Sequence, residues 1–84
     1  MNSSVVKRSI SVGAHKTSVS LEQPFWDGLR EIAVAQGATA NTIVTVIDAA
    51  RRDHNLSSAI RIFVLEHYRA GASRQAARGH LYRA

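Results

Sequence analysis

The residues of this 84-residue chain that could do chemistry are four histidines, six carboxylates and a set of serines. No two histidines have a metal-ligand spacing such as H-E-x-x-H, and the chain has no cysteine to supply a thiolate. No serine lies in a G-x-S-x-G elbow, and no glycine-rich phosphate loop occurs. The carboxylates are scattered over polar helix faces and breaks. The sequence therefore predicts no enzymatic activity, no metal and no cofactor.

The chemistry that remains is a polar, cationic face on a short strand. From His15 to Leu21 the residues alternate, with Thr17, Val19 and Leu21 on one side and Lys16, Ser18 and Ser20 on the other. This period of two is typical of a strand with one buried face. A lysine can donate to guanine O6 and N7, and a serine can donate to or accept from several bases. With a net charge of +5 and a pI of 10.8, a polyanion is an expected partner, although charge alone also fits a merely basic protein.

The stretch before it repeats the same pattern. Lys7-Arg8-Ser9-Ile10-Ser11-Val12 matches Lys16-Thr17-Ser18-Val19-Ser20-Leu21, and Gly13-Ala14 between them suits a type II′ hairpin turn. The predicted register sets Ser11 opposite Lys16, Ser9 opposite Ser18 and Lys7 opposite Ser20. Arg8 is the exception, because it falls on the otherwise apolar face.

Three helices are predicted to follow the hairpin. The first runs from about Gln23 to Gln36, with Pro24 in its first turn, Trp26 on the flank of its apolar face and Gly37 after its end. The second begins with a cap at Thr39 or Asn41 and ends around Arg51-Arg52. The third is capped by Asn55 and is apolar nearly all round, which indicates burial on more than one side, as in a dimer core.

These elements divide the chain into a disordered N-terminus (residues 1–4), a domain (5–69) and a loose basic tail (70–84). A domain this small buries only about 60% of its unfolded surface, so oligomerisation is an expected source of stability. No apolar run approaches the roughly 20 residues that span a bilayer, and Met1-Asn2-Ser3-Ser4 lacks the apolar core of a signal peptide. We expect a soluble, cytoplasmic protein with no membrane partner.

The order of strand, helix, glycine-containing turn and helix over Lys16 to Arg52 resembles the ribbon-helix-helix family, the Arc/MetJ-like DNA-binding dimers. The strings Lys7-Arg8-Ser9, His15 to Glu22, Phe25-Trp26 and Asn55-Leu56-Ser57-Ser58-Ala59 are similar to a subgroup of short bacterial predicted DNA-binding proteins with an added third helix. The fold class that follows is α+β, mostly α. The resemblance implies an intertwined homodimer in which the strand pairs antiparallel with its twin and enters the major groove.

Carried over by position, the resemblance implies roles for individual residues. Lys16, Ser18 and Ser20 would read bases, and Thr39, Ala40 and Asn41, at the start of the second helix, would anchor a phosphate. Lys7, Arg8 and the arginines of the tail would add phosphate contacts. The implied core consists of Thr17, Val19, Leu21, Phe25, Leu29, Ile32, Ile43 and Ile47.

Two functions remain open from the sequence. The first is a DNA-binding homodimer that regulates transcription, including an antitoxin-like variant. The second is a protein-interaction or scaffold dimer without specific DNA binding, in which the third helix contacts another protein. An RNA-binding role is disfavoured by the scarcity of exposed aromatic residues. If Val5–Val12 pairs beside the reading strand, the dimer sheet has four strands and is too wide to lie flat in the groove.

Overall fold

A computed structural model describes the backbone of residues 4–51 and 55–83, with side chains up to residue 71. Two strands, β1 (Val5–Val12) and β2 (His15–Glu22), precede three helices, α1 (Gln23–Ala35), α2 (Ala40–Ala50) and α3 (Leu56–Arg83). The strands form one antiparallel sheet, and the helices pack against one face of it. The predicted fold class, a ribbon-helix-helix order with an extra strand and a third helix, is confirmed.

The hairpin has the predicted register at the three predicted pairs, and the same register extends from Val12 opposite His15 to Val5 opposite Glu22. Gly13 has φ of 60°, and Ala14 has a negative φ, which are the signs of a type II′ turn. At the turn, the Gly13 N–H donates to Thr45 Oγ1 of α2 at 3.2 Å. At the other end, the Trp26 indole N–H of α1 donates to the Val6 carbonyl at 2.9 Å. The helices therefore hold the hairpin near both of its ends.

The core lies between the hairpin and the helices and is built within one chain. Six of its side chains are less than 2% exposed, and each such burial contributes roughly 1.5–3 kcal/mol to stability. They come from β2 and all three helices: Leu21, Leu29, Ile32, Ile60, Val19 and Val44. The implied core residues Ile43 and Ile47 are also buried, whereas Thr17 and Phe25 are only half-buried.

Helix α1 begins and ends close to the predicted positions. Pro24 lies in the first turn, Gln36 is the C-cap, and Gly37 follows with φ of 66°. One detail of its predicted apolar face was wrong, since Trp26 is buried rather than on the flank. The reason is that β1 lies over this side of α1 and covers the indole.

Helices α2 and α3 both carry the side-chain caps that their sequences predict. Thr39 caps α2, since its Oγ1 accepts from the Thr42 N–H at 3.1 Å, and Asn41 does not cap. Asn55 caps α3 by accepting from the Ser58 N–H at 2.7 Å. Helix α2 ends at Ala50 with Arg51 as its C-cap, and the predicted end at Arg52 lies outside the described residues.

Helix α3 is longer than the sequence predicted. Its backbone continues to Arg83, where a loose chain was expected from Ala70 onward. The segment is rich in alanine and arginine, which are good helix formers, and they favour continuing the helix although Gly71 and Gly79 do not. The division into a domain and a separate basic tail stays a prediction, and the predicted disorder of residues 1–3 lies outside the described residues.

Candidate functional site

The outward face of the hairpin is polar and cationic. Its side chains alternate with the buried ones and belong to Lys7, Ser9, Ser11, Lys16, Ser18 and Ser20. All are exposed except Ser20, which is half-buried. Cross-strand pairing puts Lys16 beside Ser11 and Lys7 beside Ser20, so each lysine has a hydroxyl neighbour on the opposite strand.

The one carboxylate of the hairpin is paired with a cation on α3. Glu22 accepts from Arg61 Nε at 2.9 Å and from Nη2 at 3.4 Å. These hydrogen bonds hold the pKa of the Glu22 carboxyl below its usual value. The bond ties the end of β2 to α3 and offsets the only negative charge that the two strands carry.

Arg8 lies apart from this face. It is on the helix side of β1, where its guanidinium carbon is 5.5 Å from the ring centroid of Trp26. This is a cation–π distance. Arg8 does not belong to the polar face because it points to the helix side, although its side chain is exposed to solvent.

The start of α2 lies beside β1. Ala40 and Asn41 line a cleft of about 430 Å³ together with Arg8, Ser9, Ile10, Trp26 and Arg30. The Thr39 hydroxyl is already hydrogen-bonded within α2, because it accepts from the Thr42 N–H and shares a hydrogen bond with the Thr42 hydroxyl. Of the three predicted anchor residues, Asn41 is therefore the one whose exposed side chain borders the cleft.

The sequence reasoning missed Arg30. Its Nη2 lies 3.3 Å from Asp27 Oδ1, and its side chain lines the same cleft as Arg8. The sequence spacing did indicate where Arg30 lies, because Arg30 follows Trp26 by four residues and so lies on the same side of α1. Recognising it also required knowing that Trp26 contacts β1.

A second, apolar cleft of about 320 Å³ lies between α2 and α3. Its lining combines Val46, Ile47 and Ala50 of α2 with Ala59, Ile62 and Phe63 of α3, and Arg51 and Glu66 border it. Val46 is 64% exposed and Ile62 is 38% exposed. Leu65, next to this lining on α3, is exposed as well. We refer to this surface as the α2–α3 groove.

Within the described part of the chain, no group of three or more His, Cys, Asp or Glu side chains could hold a metal ion. His15 is exposed at the start of β2, and His67 is half-buried against the Tyr68 ring. His54 and the side chain of His80 lie outside the described residues.

Over the residues that the structure describes, no single helix is long and apolar enough to cross a membrane. Taken together across a bend of 102°, α1 and α2 do reach that length and composition.

A family model described as a ribbon-helix-helix domain matches residues 5–68, which include both strands, α1, α2 and α3 as far as Tyr68. Comparison with curated proteins and with solved structures finds no match. The narrower subgroup with an added third helix stays a prediction.

Proposed function

The chain belongs to the ribbon-helix-helix family, and from that membership we propose that it is a DNA-binding homodimer that regulates transcription. Domains of this family are generally those of DNA-binding regulators, act as dimers and are typically non-enzymatic. The observation that carries the proposal is the hairpin face with its two lysines and four serines, on the strand that leads directly into α1. An antitoxin role and a cytoplasmic location remain predictions.

We propose that Lys16, Ser18 and Ser20 read base edges. Their side chains alternate with buried neighbours, which fixes the direction in which they point. Two adjacent strands are roughly 4.8 Å apart, and the major groove is roughly 12 Å wide, so a two-stranded ribbon fits. Lysine and serine both match the donors and acceptors of the groove.

The phosphate contacts that we propose come from the flanks of the ribbon. Lys7 shares the polar face, and Arg8 lines the cleft at the start of α2 together with Asn41. The first backbone N–H groups of a helix favour an anion such as a phosphate. Arg8 and Arg30 add positive charge around the same cleft.

The dimer contact that we propose is the α2–α3 groove, with a second copy of the chain as its occupant. Its apolar side chains are exposed in a chain small enough to gain stability from association. Arg51, whose Nε lies 2.6 Å from Asp48 Oδ1, precedes the α2–α3 connection, and Glu66 lies about three turns into α3. A cation and a carboxylate therefore border opposite ends of the groove. A two-fold interface uses the same patch on both protomers, and this charge arrangement is self-complementary.

The groove can be tested by introducing a charge. Ile62→Glu should convert the dimer to monomers in analytical ultracentrifugation, because it buries a carboxylate in an apolar contact. Val34→Glu is the matched control, since Val34 is 74% exposed on α1 and lies outside the groove. A dimer that survives Ile62→Glu would remove the groove as the contact between copies.

A second candidate function is a protein-interaction or scaffold dimer without specific DNA binding. The observation that favours it is the apolar character of the same groove, which a transcription regulator does not need for reading bases. In that case the positive charge of the hairpin contributes only sequence-independent attraction to DNA.

The deciding experiment is recovery and sequencing of genomic DNA fragments bound at near-physiological salt, with wild type beside Lys16→Ala. The proposed regulator yields a recurring motif that the variant loses. Binding that neutralises about six phosphates also weakens by roughly a thousandfold between 50 and 200 mM salt. Uniform recovery with no motif and no effect of Lys16→Ala would favour the scaffold dimer.

A further inference from the structure

We infer that Thr45 is a positioning residue for DNA recognition, because its hydroxyl fixes the hairpin turn relative to the start of α2. The inference rests on the proposed DNA-binding function and specifies how the base-reading strand and the phosphate anchor are held at a fixed separation. In this role Thr45 acts through Gly13 and Asn41 and does not itself contact DNA.

The Thr45 hydroxyl makes two hydrogen bonds at once. Its Oγ1 donates to the Asn41 carbonyl at 2.8 Å and accepts from the Gly13 N–H at 3.2 Å. A hydroxyl has a single hydrogen, so the bond to Asn41 uses that hydrogen and leaves the lone pairs of Oγ1 to accept from Gly13. The same atom therefore joins the first turn of α2 to the turn of the hairpin.

The hairpin itself offers no acceptor for the Gly13 N–H. Gly13 and Ala14 are the central residues of the turn, and strand pairing begins with Val12 opposite His15. The hydrogen bond that closes such a turn joins the residues on either side of the central pair, so it does not use the N–H of the first central residue. Gly13 is exposed, and water could satisfy its N–H. An acceptor on α2 at this point therefore fixes the position of the turn.

Helix α2 gains little from this hydroxyl. Thr45 is the one polar residue between Ile43 and Ile47, where the other side chains are apolar and β-branched. A threonine that bonds to the carbonyl four residues earlier slightly destabilises a helix and often bends it. The half-buried hydroxyl is therefore better explained by its contact with the hairpin than by the stability of α2.

A second hydrogen bond holds the opposite end of β1. The Trp26 indole N–H of α1 donates to the Val6 carbonyl at 2.9 Å, whereas Thr45 of α2 holds the turn that follows β1. Between these two points, Ile10 and Val12 are buried against the helices. The hairpin is therefore fixed to α1 at one end and to α2 at the other.

This arrangement matters because Lys16 lies only three residues after Gly13, and the proposed phosphate anchor includes Asn41. Phosphate contacts set the position of a protein on the duplex, while base contacts read the sequence. Both must form together at a separation that the duplex fixes, and a recognition site requires its side chains to be held within about 0.5 Å. Removing the Thr45 hydroxyl would loosen the turn next to Lys16 without removing any charge.

The test compares Thr45→Val with Thr45→Ser in affinity for a selected site and for a scrambled duplex. Thr45→Val keeps the shape of the side chain and loses the hydroxyl, so we expect the ratio of the two affinities to fall roughly threefold to tenfold, as for one hydrogen bond. The slope of log affinity against log salt should stay unchanged, because no cation is removed. Thr45→Ser keeps the hydroxyl and should restore the ratio.

Thr42→Val is the matched control on the same helix. Thr42 is exposed, and its hydroxyl shares a hydrogen bond with the Thr39 hydroxyl rather than with the hairpin. We expect it to leave the ratio of specific to scrambled affinity unchanged. If Thr45→Val weakens both duplexes equally, or leaves both unchanged, the inference is wrong although DNA binding holds.

A double-mutant cycle tests whether Thr45 acts on Lys16. Lys16→Ala should reduce the affinity ratio by a smaller factor in the Thr45→Val background than in wild type, because the lysine is then already misplaced. The same factor in both backgrounds would overturn the inference. If wild type selects no motif at all, the proposed function fails, and the positioning role fails with it.

The hydrogen bond can also be measured in the free wild-type protein, without any variant. Ala14 is the internal control, because the turn geometry leaves its N–H without a partner in the ladder. After correction for intrinsic rates, the Gly13 amide should exchange with deuterium several-fold more slowly than the Ala14 amide. Equal protection of the two amides would show that Thr45 does not hold the turn, and it would overturn the inference whether or not the protein binds DNA.

Discussion

Replacing Gly28 with alanine is expected to destabilise the protein, although alanine is the better helix former. Gly28 is buried in α1 where that helix meets α3. An alanine Cβ would lie 2.9 Å from Val64 Cγ1 and 3.3 Å from Tyr68 Cε2. Comfortable carbon–carbon contacts are roughly 3.5–4.0 Å, so the Val64 side chain must move.

Val64 has little freedom to move. It is 5% exposed, and a β-branched residue in a helix strongly prefers one χ1 rotamer. Inserting a methyl group into such packing costs roughly 1–3 kcal/mol, whereas glycine to alanine in a helix gains roughly 1 kcal/mol. The net expectation is a loss of about 1 kcal/mol in the free energy of unfolding.

Gly28→Ala should change from destabilising to stabilising when the Val64 side chain is shortened. Val64→Ala alone should cost about 2 kcal/mol, through lost burial and the cavity it leaves. In that background the Gly28→Ala methyl meets no Cγ1 and partly fills the space, so it should stabilise by about 1 kcal/mol. The coupling energy between the two sites is then about 2 kcal/mol, well above the scatter of independent sites.

The assay is urea denaturation of the four proteins in this cycle, with the slope of each transition checked for constancy. A Gly28→Ala substitution that stabilises the wild-type background and the Val64→Ala background alike would refute the reasoning. It would mean that α1 and α3 do not approach each other in solution as they do in this structure.

Two further predictions concern the caps and the ion pair. Thr39→Ala should lower the free energy of unfolding by about 1 kcal/mol, because the Thr42 N–H loses its acceptor. Thr39→Ser keeps a hydroxyl and should retain most of the stability. Equal losses in both variants would argue against the cap. Because Arg61 lowers the pKa of Glu22, this pair contributes stability above the carboxyl's ordinary pKa of 4.5, and the contribution disappears as the pH falls through the lowered value. Urea midpoints measured from about pH 6 to about pH 3 should therefore fall less steeply in Arg61→Gln than in wild type, and parallel curves would contradict this role of the pair.

The hairpin and the helix caps were predictable because their signals are local. The alternation on both sides of Gly13-Ala14 fixes the register, and Asn55 lies directly before the apolar pattern that it caps. The burial of Val19 and Leu21 followed from the alternation of β2 for the same reason.

The cleft beside β1 could not be predicted, because it depends on contacts between distant segments. Arg8, Arg30 and Asn41 come from three elements, and nothing in their spacing indicates that these elements meet. The length of α3 was missed for a different reason. An alanine- and arginine-rich segment is compatible with both a helix and a solvated tail, so its composition does not predict which of the two forms.

The two-residue turn at Gly13-Ala14 also determines which backbone amides of the hairpin are shielded from solvent. Val12 and His15 flank the turn as a hydrogen-bonded pair, and pairing alternates from there along the ladder. In β2, the N–H groups of Thr17, Val19 and Leu21 bond to β1, whereas those of Lys16, Ser18 and Ser20 point away from it.

Deuterium exchange of the free chain should therefore be slow and fast at alternate residues of β2. The exposed edge is the kind that promotes aggregation between sheets, and a lysine at its start is a usual protection against it. Lys16 therefore has a second role besides the proposed one, because the charge that would face DNA also keeps the open edge of β2 from pairing with other molecules.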